Sequence, residues 1–278
     1  MRYFKTVMLL LSLWGLSACS MMQLSDNLAK GVTENQDPEL VAEALPAYLV
    51  TIDGLIANWP QKASLLRSGA SLYSAYGSLF VTEPERQQLH TQKALAYAQR
   101  AACVDHQRFC DVNNLSVPVI EERLQKAKAK HVPSLYTLGT VWATYIQTHS
   151  DDWKAVADLA RVQTLLEKVV ALDEGYEYGQ ANLYLAVLDS LLPAALGGQP
   201  ERAQQYFEKA IQLSQGKNLY AKVLYAQHYA RMAFDQELHD SLLQEVLEAK
   251  VQAPGLTLQN TFAQQEAKRL LAESADYF

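Results

Sequence analysis

The sequence predicts an all-α chain organised as an array of helix pairs, and three observations carry that prediction. Helical stretches alternate with short breakers from Pro38 to the C-terminus. No alternating strand pattern of useful length appears; Val117-Pro118-Val119-Ile120 is short and interrupted by proline. Four windows also align without gaps: ALAYAQRAACVDH from Ala94, VQTLLEKVVALDE from Val162, AQQYFEKAIQLSQ from Ala203 and LLQEVLEAKVQAP from Leu242. Each opens on a small or aliphatic residue. Four places later come Ala98, Leu166, Phe207 and Val246, and three further on Ala101, Val169, Ala210 and Ala249. Those spacings put each trio on one helix stripe.

The chain starts with a cationic head, Arg2 and Lys5, and an apolar run from Val7 to Ala18 broken only by Ser12 and Ser17. The run has the length of a signal-peptide core and falls short of the roughly 20 residues of a spanning helix. It ends in Leu16-Ser17-Ala18-Cys19, which resembles the lipobox of bacterial lipoproteins. That resemblance implies cleavage before Cys19, lipid on its sulfur and a membrane anchor. The alternative is an ordinary signal peptide with a cysteine at its cleavage site. An Asp after the cysteine would favour retention at the inner membrane in such lipoproteins, so Ser20 points to the outer membrane. Residues 1–18 are therefore expected to be the leader, 19–37 a lipidated tether, and 38–278 the helical domain.

Composition narrows the function. The formal net charge is −6 and the pI about 5.5, so electrostatics give no reason to hold nucleic acid. Lys126, Lys128 and Lys130 form the one basic cluster and read as a solvated helix face. Nothing after residue 18 reads as long enough to span a bilayer, which leaves the lipid as the expected anchor. Besides Cys19 the chain has Cys103 and Cys110. In an oxidising compartment two such cysteines point to a disulfide, with free buried thiols as the alternative. Only His106 lies between them, too little for a metal site.

The aligned windows resemble the second helix of a tetratricopeptide repeat. Leu135, Leu138, Gly139 and Trp142 match the first helix of such a repeat well, and Leu65, Ser68, Gly69 and Leu72 moderately. Gln180, Leu183, Tyr184 and Val187 match weakly, as do Ala221, Leu224, Tyr225 and His228. The close-packing position precedes the next window by 25 residues (Gly69 to Ala94), 23 (Gly139 to Val162), 19 (Tyr184 to Ala203) and 17 (Tyr225 to Leu242). Each pair thus carries a long internal turn. The fold expected is a tetratricopeptide-like helical repeat array with long intra-repeat turns. Long turns on one edge can build more than a scaffold. The third, Leu191-Leu192-Pro193-Ala194-Ala195-Leu196-Gly197-Gly198, is apolar for a loop. It either tucks onto its own repeat or meets a ligand or neighbour.

The lipobox, the degenerate pairs, the Leu-Pro-x-x-Leu-Gly-Gly turn before Gln199-Pro200-Glu201-Arg202-Ala203, and Gly216-Lys217-Asn218-Leu219-Tyr220-Ala221-Lys222-Val223-Leu224-Tyr225 together resemble the TatT component associated with TRAP transporters. The resemblance spans roughly Glu43 to Tyr277. It implies a periplasmic lipoprotein that forms a homo-oligomer around a pore, binds the extracytoplasmic solute-binding protein of the transporter, and passes a hydrophobic small ligand.

No catalytic pattern competes with a binding role. His90, His106, His131, His149, His228 and His239 are scattered, and neither a Gly-rich phosphate loop nor a Gly-x-Ser-x-Gly elbow occurs. Asp152 reads as the cap of a helix starting at Trp153. The chain is expected to be no enzyme and to need no cofactor or metal. Tyr73, Tyr76, Trp142, Tyr145, Tyr225 and Tyr229 fall on first helices, where they either pack or line a groove for an apolar ligand. With Leu192 and Leu196 they are the candidate ligand or partner contacts.

Overall fold

A computed structural model describes residues 30–192, 194–196 and 198–278, with Leu196 as backbone only. The helices are α1 (Pro38–Asn58), α2 (Ala63–Leu79), α3 (Pro84–Asp105), α4 (Val117–Leu124), α5 (Val132–Thr148), α6 (Trp153–Val156), α7 (Leu159–Leu172), α8 (Tyr176–Asp189) and α9 (Pro200–Leu213). Next comes α10 (Leu219–Leu224), continued by a π-helical stretch (Tyr225–Ala230) and α11 (Arg231–Ala233). The chain ends with α12 (Gln236–Glu248), α13 (Thr257–Ala272) and α14 (Ser274–Tyr277). Among the described residues there is no strand. The Val117-Pro118-Val119-Ile120 run opens α4, its proline in the first turn, where no backbone N–H is missed.

Local chemistry sets the helix starts. Asp37 accepts from the backbone N–H groups of Glu39 and Leu40 at α1, Asp152 from Lys154 at α6, and Asp235 from Leu238 at α12. Proline occupies the first turn of α1, α3, α4, α5 and α9. Asp158 and Arg161 pair at the start of α7.

Consecutive helices pack in pairs, α2 with α3, α5 with α7, α8 with α9, and the π stretch with α12. Each pair then packs on the next, through α3 on α5, α7 on α8 and α12 on α13. Three helix stripes read from the sequence are buried: Ala94, Ala98 and Ala101; Val162, Leu166 and Val169; Ala203, Phe207 and Ala210. In the fourth, Leu242 and Val246 are buried, but Ala249 has extended backbone just past the end of α12 and is only half-buried. Two glycines mark where helices cross closely. A Cβ on Gly139 would lie 2.7 Å from Leu166 Cδ2, and one on Gly69 would lie 2.8 Å from Ile56 Cδ1.

The buried side chains form two clusters, one centred on α1 to α7 and one on α8 to α13. Helix α13 belongs to both. Its Leu258 sits in the first cluster, and Ala263, Ala267 and Leu270 sit in the second. The Phe262 ring meets Phe80, from the end of α2, at 5.6 Å. The last long helix thus returns to the first ones and closes the array.

Two expectations are corrected. Among the described residues α1 is long and apolar enough to cross a bilayer. The fold uses it in the core instead, through Val41, Leu45, Leu49, Ile52 and Ile56, and its Asp53 pairs with Lys93. Lys126, Lys128 and Lys130 are exposed, but no single helix carries them: α4 ends at Leu124, and a one-turn 3-10 segment spans Ala129–His131.

Candidate functional site

Four tyrosines from three helices form a row across the fold. Tyr136 lies on α5, Tyr176 and Tyr184 on α8, and Tyr220 on α10; all are half-buried. The rings of Tyr136 and Tyr176 meet edge to face at 5.1 Å. Burial pushes the Tyr136 phenol well above its ordinary range, with Tyr184, Glu177 and Tyr176 adding to the effect. Burial likewise raises Tyr184, with Tyr220 beside it, and raises Tyr220, with the Glu266 carboxylate beside it. The row is continuous and neutral at physiological pH. Tyrosine provides apolar ring surface and one polar tip, which suits a surface that is partly wet.

A polar chain ties the helices under this row. Tyr136 Oη donates to Gln180 Oε1 at 3.0 Å, Gln180 Nε2 to Gln259 Oε1 at 3.4 Å, and Gln259 Nε2 to Asn218 Oδ1 at 3.1 Å. Asn260 in turn holds the start of α10, accepting from the Leu219 N–H. The chain enters α8 through three left-handed residues, Glu177, Tyr178 and Gly179. Gly179 has φ +73°, and a Cβ there would lie 2.6 Å from Leu213 Cδ1, so both backbone and space demand glycine. Left-handed backbone at a glutamate and a tyrosine is strained. That strain sits directly beside the row, where desolvation raises the Glu177 carboxyl.

The apolar turn after α8 has a rigid base. Arg202 grips the buried Asp189 through two bonds of 2.6 Å, Nε to Oδ2 and Nη2 to Oδ1, and the Gln199 N–H donates to the Asp189 carbonyl at 3.1 Å. A bidentate arginine–carboxylate pair fixes orientation as well as distance. Leu191 and Leu192 project from this base, each 48% exposed. Leu196 ends a one-turn 3-10 segment, Ala194–Leu196, and its side chain lies outside the described residues, as do Pro193 and Gly197.

The aromatic residues singled out from sequence divide differently. Trp142 is fully buried, and Tyr73, Tyr76 and Tyr225 are nearly so. Tyr73 Oη donates to Asp53 at 2.7 Å, beneath Lys93, while Tyr76 packs edge-on against His90. Tyr225 stacks on Phe207 at 4.9 Å. These four belong to the packing between paired helices. Tyr145 is half-buried and stacks on His149 at 4.0 Å, and Tyr229 donates to Gln204 at 2.9 Å. The row was missed because its residues follow the core positions by one: Tyr136 after Leu135, Tyr184 after Leu183, Tyr220 after Leu219. The same leucine–tyrosine step occurs at the buried Tyr73 and Tyr225, so sequence alone does not single the row out.

Cys103 and Cys110 are joined, with Cα atoms 4.3 Å apart. The bond closes the turn that leaves α3. Cys19 lies outside the described residues. Among the described residues no cluster of metal-ligating side chains occurs.

No curated protein matches the chain. A family model described as the TRAP transporter T-component matches residues 34–278, the whole of the helical domain, and the chain belongs to that family of transporter components.

Proposed function

We propose that this T-component is a non-catalytic periplasmic lipoprotein, held at the outer membrane through lipid on Cys19, that docks the solute-binding protein of a TRAP transporter. Its helix pairs are tetratricopeptide-like repeats. The side with the tyrosine row is the docking and ligand surface, and the Leu191–Gly198 turn adds an apolar contact at its edge. The observation that carries this reading is the row itself: Tyr176, Tyr136, Tyr184 and Tyr220, half-buried and continuous across helices. Tyrosine is enriched among residues that dominate protein interfaces, and its ring also accepts an apolar ligand. The strained entry to α8 and the rigid Asp189–Arg202 base keep these surfaces preorganised.

The test is association of the protein with the solute-binding protein of its own transporter, measured by calorimetry. Tyr184→Ala and Leu192→Ser are each expected to weaken binding by about tenfold, or 1.4 kcal/mol. No association at tens of micromolar would instead favour a general envelope scaffold. Retained binding in both variants would remove the row and the turn from the interface.

A further inference from the structure

We propose that one end of the first two helix pairs rests against the membrane surface, with Trp153 at the level of the lipid headgroups. Four large apolar side chains are exposed at that end: Leu40 at 54%, Leu79 at 48%, Leu89 at 62% and Trp153 at 84%. They come from four elements, yet chain geometry brings them to the same end. Leu40 is in the first turn of α1, and α2 runs back along α1, with Gly69 against Ile56 and Tyr73 against Asp53, so that Leu79 ends towards the half of α1 that carries Leu40. A short connection then leads to the first turns of α3 and Leu89. Gln88 Nε2 donates to the Thr148 carbonyl at 3.2 Å, and the Thr91 and Thr148 hydroxyls are 2.8 Å apart. Those bonds set the start of α3 against the end of α5, five residues before Trp153.

The occupant follows from where the chain enters. This inference rests on the reading of Cys19 as the lipidated residue. Ten residues lie between Cys19 and Lys30, where the described chain begins. Fully extended, they reach at most about 40 Å. The chain then joins α1 at Pro38, at the same end as the four apolar side chains. The opposite end of α1, at Trp59, lies about 30 Å away along the helix. Along the chain the apolar end is therefore nearer the anchor than the Trp59 end, by the length of α1. Tryptophan favours the membrane–water interface, where its ring sits among headgroups and its N–H stays wet. Glu83, Glu85, Asp151 and Asp152 outnumber Arg86 and Lys154 nearby, so the surface fits zwitterionic headgroups better than anionic ones.

The tryptophans supply the test. Trp14 lies in the leader, Trp142 is fully buried, and Trp59 and Trp153 are exposed at opposite ends. The mature full-length lipoprotein is reconstituted into phosphatidylcholine vesicles, a portion of whose lipids are brominated high in the acyl chain, and the vesicles are floated. Trp59→Phe leaves Trp153 as the accessible emitter, and Trp153→Phe leaves Trp59. The expected result is loss of emission on brominated lipid for Trp59→Phe and no loss for Trp153→Phe. Protein that floats but shows no loss for Trp59→Phe, or equal loss for both variants, overturns the proposal and leaves the lipid anchor standing. Protein that fails to float overturns both. Shielding of Trp153 that appears only when the solute-binding protein is added assigns this end to a protein partner and likewise overturns the membrane contact.

Discussion

Single buried histidines make the fold sensitive to acid. His131 is almost fully buried; its Nδ1 accepts the Lys128 N–H at 3.1 Å, so its proton belongs on Nε2. Phe109 and His106 close on the ring edge-on, and a second proton would have to displace the Lys128 bond. Desolvation lowers the pKa of His131, His90 and His228 in the folded state. The unfolded chain, with histidines near 6.5, therefore binds protons first as pH falls. Their contribution to stability is complete above about pH 6.5 and is lost as pH drops towards the depressed folded values. The melting temperature should fall between pH 7 and pH 5, before the carboxylates titrate. A thermal scan that is flat across that window would remove the histidines as its cause.

At the scale of helices and turns, burial and crosslinking yield two measurable quantities. Phe207 is fully buried between Ala203 and Ala210 and stacks on Tyr225. Phe207→Ala should cost about 3–5 kcal/mol in urea unfolding, the combined loss of transfer energy and creation of a cavity. A cost below about 1 kcal/mol would mean that α9 does not pack as described. The Cys103–Cys110 bond closes a short loop. Replacing both cysteines with serine should lower stability by about 2–3 kcal/mol, since a short loop gains little entropy from closure. Thiol labelling of denatured, unreduced protein checks the bond itself: two reactive thiols would show that it does not form.

For the whole molecule, the proposed attachment and the proposed docking can be tested separately. Cys19→Ala should release the chain from membranes or block its maturation, measured by fractionation and by mature mass. Unchanged membrane association with unchanged mass would refute the anchor. That variant should still bind the solute-binding protein, because the tyrosine row and the Leu191–Gly198 turn lie in the folded domain. Loss of binding in a chain that still folds would show that the tether belongs to the interface. Helix α13 links the two buried clusters and meets Phe80 through Phe262.

The residues by themselves determined whatever depends on local spacing. Apolar positions four and three apart placed the buried stripes of α3, α7 and α9. Close packing was legible at Gly69 and Gly139, and Asp152 was legible as a cap, because each rests on contacts within a helix or between sequential neighbours. Family membership was legible too, in the stretch from Pro193 to Tyr225. Tertiary structure decided which aromatic side chains face inwards and which remain accessible. A rotation of one position around a helix, about 100°, separates Leu135 from Tyr136, and single-helix periodicity does not say which partner covers each face. It also decided that apolar α1 packs in the core and that α13 returns to α2. The return of α13 depends on contacts such as Phe80 with Phe262, more than 150 positions apart, which no local pattern encodes.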